Sequence, residues 1–406
     1  MLGVVRFPGH GVLTVIVVLA DDLTGAAEVA GIALVSGLTA EVHIDRLLPS
    51  NSDVVVIDAD SRSCSDREAT EKMRHIAIQV RDAAPQWVFT KVDSLLRGPV
   101  HAALQAINEV FQCERILMVN ANPRKGRVVQ GGELTIEGQP IDQTCFANDP
   151  EHPREGSGID RLLGVPPQPV ASVQFDRSLP RNGFLVGDAA SECELLSWAR
   201  LVFGMRGEQY EENRLEPKTL LVGAAEFFQA LLTVRGFRFG AAVRNADVPL
   251  MIEPDSLLIS GSRVGSLTEL PIPKTPVAID DQDVVARIRQ QLQEEGRSVL
   301  HCLPELAADA DRCAASIVSV ASDVIRTHNP HHVWIEGGRT ACRLVRACGW
   351  ERLVAKQVHG DGVVRMGVAG ASVPDLVLKP GSYPWPPIRL FNFLVPPNQS
   401  VDEAVA

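Results

Sequence analysis

The chain has 406 residues, a formal net charge of −11, and a composition that is 45% hydrophobic, 22% charged and 5% aromatic. That length exceeds what one hydrophobic core ordinarily serves, and the composition excludes the disordered and fibrous classes. The acidic balance argues against nucleic acid or an anionic membrane as the main partner. It leaves room for a small anionic substrate, which responds to local rather than total charge.

The apolar run over 11–20 is too short to span a bilayer and stops at Asp21-Asp22 with no small-residue cleavage site before it. It reads as a first strand over 15–19 and the protein as cytoplasmic, followed by a helix over about 26–36 that Gly37 closes. Strands over 54–57, 87–90 and 115–119 then alternate with helices over 66–83 and 100–111. Residues 123–169 turn to Gly, Pro and polar types, with a hairpin or flap around 134–136. Strands over 184–186 and 219–222 flank a helix near 191–203, and a boundary is expected near 235–254. Beyond it come strands over 256–259, 298–302, 332–335 and 376–378, with helices over 281–295, 307–327 and 340–348. The expected fold is α/β: two α/β domains, 1–240 and 250–406, with mostly parallel sheets and an active-site cleft between the domains. The eight cysteines show no C-x-x-C and no zinc spacing, and read as free, mostly buried thiols of a reducing compartment.

Ligands of open parallel sheets bind beyond the carboxyl ends of the strands. The first strand is followed by Asp21, Asp22 and Thr24-Gly25; the second by Asp58, Asp60 and Ser61-Arg62-Ser63. The third leads to Lys91, Asp93, Ser94 and Arg97-Gly98; the fourth to Asn120, Asn122 and Arg124-Lys125-Gly126-Arg127. Such a set suits a small anionic polyol. Arg62, Lys91 and Arg97 can bind a carboxylate, while Asp21, Asp22 and Asp93 can accept from hydroxyls. One of the paired aspartates, Asp21 or Asp22, is the expected base, and the other can serve as a helix cap. His101 reads as structural.

In the second half, Ser260-Gly261-Ser262, Glu336-Gly337-Gly338-Arg339-Thr340 and Lys379-Pro380-Gly381 place glycine turns at strand ends, as a phosphate chain requires. There is no P-loop motif and no dinucleotide fingerprint after the first strand. No metal-ligand set is read.

Ala20-Asp21-Asp22-Leu23-Thr24-Gly25-Ala26 resembles the opening ADD-[FL]-TGA of the four-carbon acid sugar kinases. The run from Lys91 to Gly98 is similar to that family's K-x-D-S-T-L-R-G, with Leu95 where Thr is usual. The run from Asn120 to Arg127 is similar to its P-A-F-P-x-x-G-R, and that from Phe146 to Pro150 to its F-A-x-D-P. Downstream, Ser260-Gly261-Ser262 matches an S-G-S turn, with Thr268 one residue farther along than the family's threonine. Gly337-Gly338-Arg339-Thr340 stands where G-G-[DE]-T is expected, with Arg339 reversing the charge. Lys379-Pro380-Gly381 is similar to the closing K-x-G, and Ser382-Tyr383-Pro384-Trp385 replaces the usual Gly-x-Phe-Gly.

The resemblance implies an N-terminal domain for four-carbon sugar acids such as threonate or erythronate, and a C-terminal domain for ATP with Mg²⁺. Substrate contacts then fall on Asp21, Asp22, Arg62, Lys91, Asp93, Ser94 and Arg97. Nucleotide contacts fall on Ser262, Gly337, Gly338, Thr340 and Gly381, with Arg339 included by position. The implied activity is transfer of the γ-phosphoryl group to the terminal hydroxyl of the acid. Two alternatives stand beside it: a sugar-acid-binding member with reduced or lost ATP turnover, and another enzyme class using the same acid-binding domain. The expected partners are the small acid and ATP, with neither nucleic acid nor membrane, and self-association is left open.

Overall fold

The computed structural model describes residues 16–149, 152–165, 170–173, 179–203, 218–237, 249–261, 267–277, 283–302, 310–360, 362–381 and 383–391. The first half begins β1 (Ile16–Ala20), α1 (Leu23–Val35), β2 (Ala40–Ile44), β3 (Val54–Asp58), α2 (Asp66–Ala83), β4 (Trp87–Lys91), α3 (Val100–Phe111) and β5 (Arg115–Val119). It continues with β6 (Arg127–Gln130), β7 (Glu133–Ile136), β8 (Gln139–Pro140), α4 (Ile159–Leu163), β9 (Val170–Val173), β10 (Gly183–Gly187), α5 (Glu192–Val202), β11 (Thr219–Gly223) and α6 (Ala225–Val234). The second half opens with β12 (Leu250–Ile252), β13 (Ser256–Ser260), β14 (Lys274–Val277), α7 (Val284–Glu295), β15 (Arg297–Cys302) and α8 (Ala310–His328). It closes with β16 (His332–Glu336), α9 (Gly338–Ala347), β17 (Arg352–Gly360), β18 (Val363–Val368), β19 (Asp375–Lys379) and β20 (Ile388–Leu390).

Among the described residues fifteen strands make one sheet, in the order β14-β15-β13-β16-β19-β18-β17-β2-β3-β1-β4-β11-β5-β10-β9. All pairings from β2 to β9 are parallel, as are those from β14 to β19. The β17–β18 hairpin joins the two parallel blocks through three antiparallel pairings, with Leu353 of β17 opposite Val42 of β2. The mixed α/β reading therefore holds, with the two halves sharing one sheet. The joining strand β2 escapes sequence reading because its run Ala-Glu-Val-His-Ile carries two polar residues. His43 is buried in the sheet and bonds Glu41, 3.0 Å away, so the strand tolerates both.

β1 and β3 are buried at every position, as expected of parallel strands covered on both faces. On one face lie α2 and α3; α2 starts with a Ser65–Glu68 capping box and buries Ala69, Met73, Ile76, Ala77 and Val80 at helical spacing. On the other face α1 packs on β2 and β3 and also on β17, β18, α6 and α9. It is buried nearly all round for that reason, and Gly31 lets it press onto β18, where a Cβ would come within 2.8 Å of Val364. Because the hairpin reverses strand direction, the carboxyl edges of the two blocks point in opposite senses along the sheet. Residues beyond the carboxyl ends of strands of both blocks nonetheless line one cavity. Ion pairs seal the seam: Arg346 of α9 holds Asp60 at 2.8 Å and Asp45 at 2.5 Å.

The flap expected around 134–136 is a small three-stranded antiparallel sheet of β6, β7 and β8. His101 is structural, its ring stacked on Phe184 at 6.0 Å. The cysteine expectation needs correction. Cys302 and Cys313 form a disulfide, and among the free thiols only Cys342 is buried while Cys145 and Cys193 are exposed. No described helix is long and apolar enough to cross a membrane.

Candidate active site

The chain leaves β1 at Ala20 and starts α1 at Leu23, so Asp21 and Asp22 occupy the turn. Asp22 is the N-cap: its Oδ1 accepts from the Gly25 amide at 2.9 Å and its Oδ2 from the Thr24 hydroxyl at 2.6 Å. Arg62, beyond β3, forks across the pair, with Nε donating to Asp21 Oδ2 at 2.8 Å and Nη2 to Asp22 Oδ1 at 2.7 Å. Arg97, beyond β4, forks onto Asp93 at 2.7 and 3.0 Å and lies 3.6 Å from Asp149. Gly98 fixes the two arginines relative to each other. Its φ of +87° needs glycine, and a Cβ there would sit 2.4 Å from the Arg62 carbonyl oxygen.

These contacts split the aspartates. Burial raises Asp21, with Asp22 adding to it and Arg62 opposing, and its Oδ1 has no hydrogen-bond partner among the described residues. Burial acts on Asp22 too, but Arg62, Lys91, Thr24 and Gly25 hold it below the ordinary carboxylate range. Asp93 is buried as well, and Arg97 and Arg62 hold it far below that range. Burial alone would ease the proton off Arg62, but its three aspartates keep it charged.

A cavity of about 520 Å³ opens over these strand ends, walled by Asp22, Thr24, Gly25, Arg62, Lys91, Asp93, Ser94 and Arg97. Lys91 is 4% exposed and donates to the Val92 carbonyl at 3.0 Å; a Cβ on Gly25 would stand 3.0 Å from its Nζ. Arg127, from β6, is 5% exposed, donates to Ser94 Oγ at 2.7 Å and lies over the Phe146 and Tyr383 rings. Neither Lys91 nor Arg127 has a carboxylate within ion-pair distance among the described residues. Their remaining N–H groups are the cavity's spare cationic donors. Glu28, one turn along α1 from Thr24, lines the cavity too; burial raises it, against the pull of Lys91.

The second half supplies the opposite wall through Gly338, Arg339, Arg343, Pro380, Gly381 and Tyr383. Gly337, at φ +110°, caps α9 without any side-chain hydrogen bond, so no cap side chain takes up the first amides of the helix, where Gly338 and Arg339 line the cavity. A Cβ on Gly338 would lie 2.8 Å from Asp22 Oδ2. The N-termini of α1 and α9 thus converge, and both dipoles favour anions there. Behind them Glu336 is fully buried and pairs with Lys379 at 3.1 Å, accepting also from Ser260 at 3.2 Å and Trp385 at 3.0 Å. No group of three or more His, Cys, Asp or Glu among the described residues could hold a metal ion.

Of the residues expected from sequence, Asp22, Arg62, Lys91, Asp93, Ser94, Arg97, Gly338, Arg339 and Gly381 line this one cavity. Asp21 sits behind Arg62, outside the lining. Thr340 also lies outside it, against Gly261, where a Cβ would come 2.1 Å from its hydroxyl oxygen. Arg339 donates to Ser63 Oγ at 3.3 Å, across the seam. Ser262 lies outside the described residues, as does Ser382. Sequence reasoning missed Glu28 and Tyr383. Glu28 carried a signal, since it follows Thr24 by four residues on a helix and so shares its face. Tyr383 carried none.

Residues 16–202 match the family model described as a sugar-binding N-terminal domain. The chain is 31% identical over 144 residues to a D-erythronate kinase of Heliobacterium modesticaldum, covering 34% of this chain and 33% of that one. It is 27% identical over 205 residues to a D-threonate kinase of Bordetella bronchiseptica, covering 47% and 50%. The chain thus spans a third to a half of the length of these two curated relatives. In fold it is similar to a Haemophilus influenzae protein of the DUF1537 family, with a TM-score of 0.65 at 18% identity, covering 91% of this chain and 97% of that one. The likeness is carried chiefly by the N-terminal half of the chain, which is similar to the sugar-binding N-terminal domain and to kinases of four-carbon sugar acids.

Proposed function

We propose that the protein is an ATP-dependent kinase that phosphorylates the terminal hydroxyl of a four-carbon sugar acid of the threonate or erythronate type. The observation that carries this reading is the meeting of Asp22 with the glycine-opened N-terminus of α9 in one cavity. A hydroxyl-activating carboxylate and a phosphate-binding helix end are brought within contact of each other. The named activities of the erythronate and threonate kinases that it resembles agree with it.

The substrate carboxylate goes to Lys91 and Arg127, whose donors are spare, because Arg62 and Arg97 are committed to holding aspartates. Ser94 and Glu28 read hydroxyls along the chain of the acid. Asp22 orients the terminal hydroxyl and takes its proton as the oxygen bonds to the γ-phosphorus. The bond from that phosphorus to the β–γ bridging oxygen breaks, and ADP leaves. Asp21 acts from behind, anchoring Arg62. The phosphates of the nucleotide would be held at the N-terminus of α9 by Gly337 and Gly338 and beside Gly381, with Arg339 adding a cation at the same edge. Mg²⁺ carried by the nucleotide would neutralise phosphate charge. Among the described residues no cluster of carboxylates could cage an ion, so it would be held mainly by phosphate oxygens, with Asp22 the carboxylate beside Gly338.

In this reading 1–240 is the acid-binding domain and 250–406 the nucleotide-binding domain, joined through β2 and β17, and the enzyme works in the cytoplasm. Closure of one on the other excludes water, which otherwise competes as acceptor. A second reading, acid binding without turnover, draws on Arg339, a cation where the family carries an acid. An ATP-consumption screen over four-carbon sugar acids, paired with calorimetric titration of each acid, separates the two. Acid binding with no ATP consumed on any acid rejects the kinase.

A further inference from the structure

Tyr383 comes from the second half of the chain yet forms a wall of the cavity of the first half. Its hydroxyl donates to Glu28 Oε1 at 3.2 Å and accepts from Asn122 Nδ2 at 3.2 Å. Burial, reinforced by Glu28, holds the phenol well above its ordinary range, so it keeps the proton it donates. The ring is held from other sides as well. Lys125 Nζ stands 4.7 Å from its centroid, and Gly362 leaves room where a Cβ would come 2.6 Å from the ring. The backbone carbonyl of Tyr383 takes a 2.6 Å hydrogen bond from buried Lys379. A side chain fixed at its tip, face and backbone is a rigid partition.

A second, more apolar cavity of about 400 Å³ adjoins: Lys125 and Gly362, which pack on the Tyr383 ring, line it with Ile32, Val358, His359 and Trp385, while Tyr383 itself lines the first cavity. The two cavities share Glu28, Asn122 and Ala225 as walls. We propose that Tyr383 is the specificity-determining wall of the acid pocket, setting the longest acid that fits by closing it off from this second cavity. The inference rests on the sugar-acid reading above. With the reacting hydroxyl held at Asp22 and Gly338, extra carbons must extend past Arg127. That guanidinium lies 5.5 Å from the Tyr383 ring and 5.7 Å from the Phe146 ring, and of the two only Tyr383 lines the cavity, so the added length meets its ring.

The test is calorimetric titration of the full chain, without nucleotide, with D-erythronate, D-ribonate and D-gluconate. The wild type and Tyr383→Phe, which keeps the ring, should favour the four-carbon acid. Tyr383→Ala should shift the ratio toward D-gluconate by about tenfold or more, the scale on which pockets discriminate added carbons. Tyr383→Leu, which retains apolar packing, should shift it in the same direction and answers the question if the alanine variant does not fold. An unchanged ratio in the opened variants overturns the wall. So does a Tyr383→Phe shift as large as that of alanine, which would assign the effect to the hydroxyl's bonds. A wild type that binds none of the three acids overturns the sugar-acid reading and the wall together.

Discussion

Gly338 presses on Asp22 so closely that a single methyl between them has no room: a Cβ would stand 2.8 Å from Oδ2 of Asp22 and 3.0 Å from Oγ1 of Thr24. Gly338→Ala must therefore push α9 back or turn the aspartate. Alanine suits a helix better than glycine, so the fold should survive. Displacement of order an ångström in a reacting pair costs about 10²-fold in rate. We expect kcat to fall by about that factor with the melting temperature nearly unchanged. Steady-state kinetics with D-erythronate and ATP, beside a thermal melt, decide it; unaltered kcat would detach Gly338 from the chemistry.

Lys91 and Arg127 differ from Arg62 in what their charges face. Replacing Lys91 or Arg127 by Met removes a spare donor, and a hydrogen bond to a charged group is worth about 1.5–3 kcal/mol. Acid affinity should then drop about ten- to a hundredfold, read by titration calorimetry, with stability little changed. Arg62→Met instead leaves Asp21, Asp22 and Asp93 without their shared cation and should cost about 3–5 kcal/mol in urea denaturation. Equal effects of all three substitutions on acid binding, with none on stability, would contradict this division.

That division marks where sequence reading stops. Buried parallel strands announce themselves as unbroken apolar runs, which is why β1, β3, β4 and β5 and the polar residues at their ends could be read directly. Which arginine serves a ligand and which serves an aspartate depends on partners some 40 residues away, Arg62 to Asp22 for example, and spacing carries no record of that. The β17–β18 hairpin was likewise illegible. Its strands alternate and bulge, and they have meaning only as the bridge that β2 completes. Tyr383 and Glu28 lie 355 residues apart, on opposite sides of that bridge.

The buried pair behind α9 tests how its N-terminus is held. Glu336 is fully buried and Lys379 3% exposed; Glu336→Gln keeps one acceptor oxygen for the Trp385 indole, turns the other position into an amide donor to the Ser260 hydroxyl, and removes the charge that pairs with the ammonium. The cost should be about 3–5 kcal/mol at neutral pH. Burial, opposed by Glu336, already lowers Lys379, and losing Glu336 lowers it further. Above its folded pKa the unfolded chain binds more protons, so the variant should regain stability as pH rises toward the ordinary lysine value. Urea melts at neutral and alkaline pH should converge for wild type and variant. A penalty that is the same at both would mean that the charge is not what costs.

Asp58 gives the opposite slope. Burial, with Asp60 adding to it, raises its carboxyl from 3.8 to about 8, at the end of β3 beside Cys342. The folded protein keeps this proton while the unfolded chain has lost it, so between about pH 4 and pH 8 the folded state binds one proton more. Stability contributed by the group is then complete below the unfolded value. It falls as pH rises, by at most about 1.4 kcal/mol per unit, and levels off above about 8. Asp58→Asn removes the titration but keeps an oxygen to accept from the Asp60 amide, now 2.9 Å from Oδ1. The variant should match the wild type near pH 4 and exceed it progressively up to pH 8, and the gap is read from urea midpoints across that range. A gap that does not grow with pH would mean that Asp58 is ionised in the folded state, with Arg346 rather than burial setting its charge.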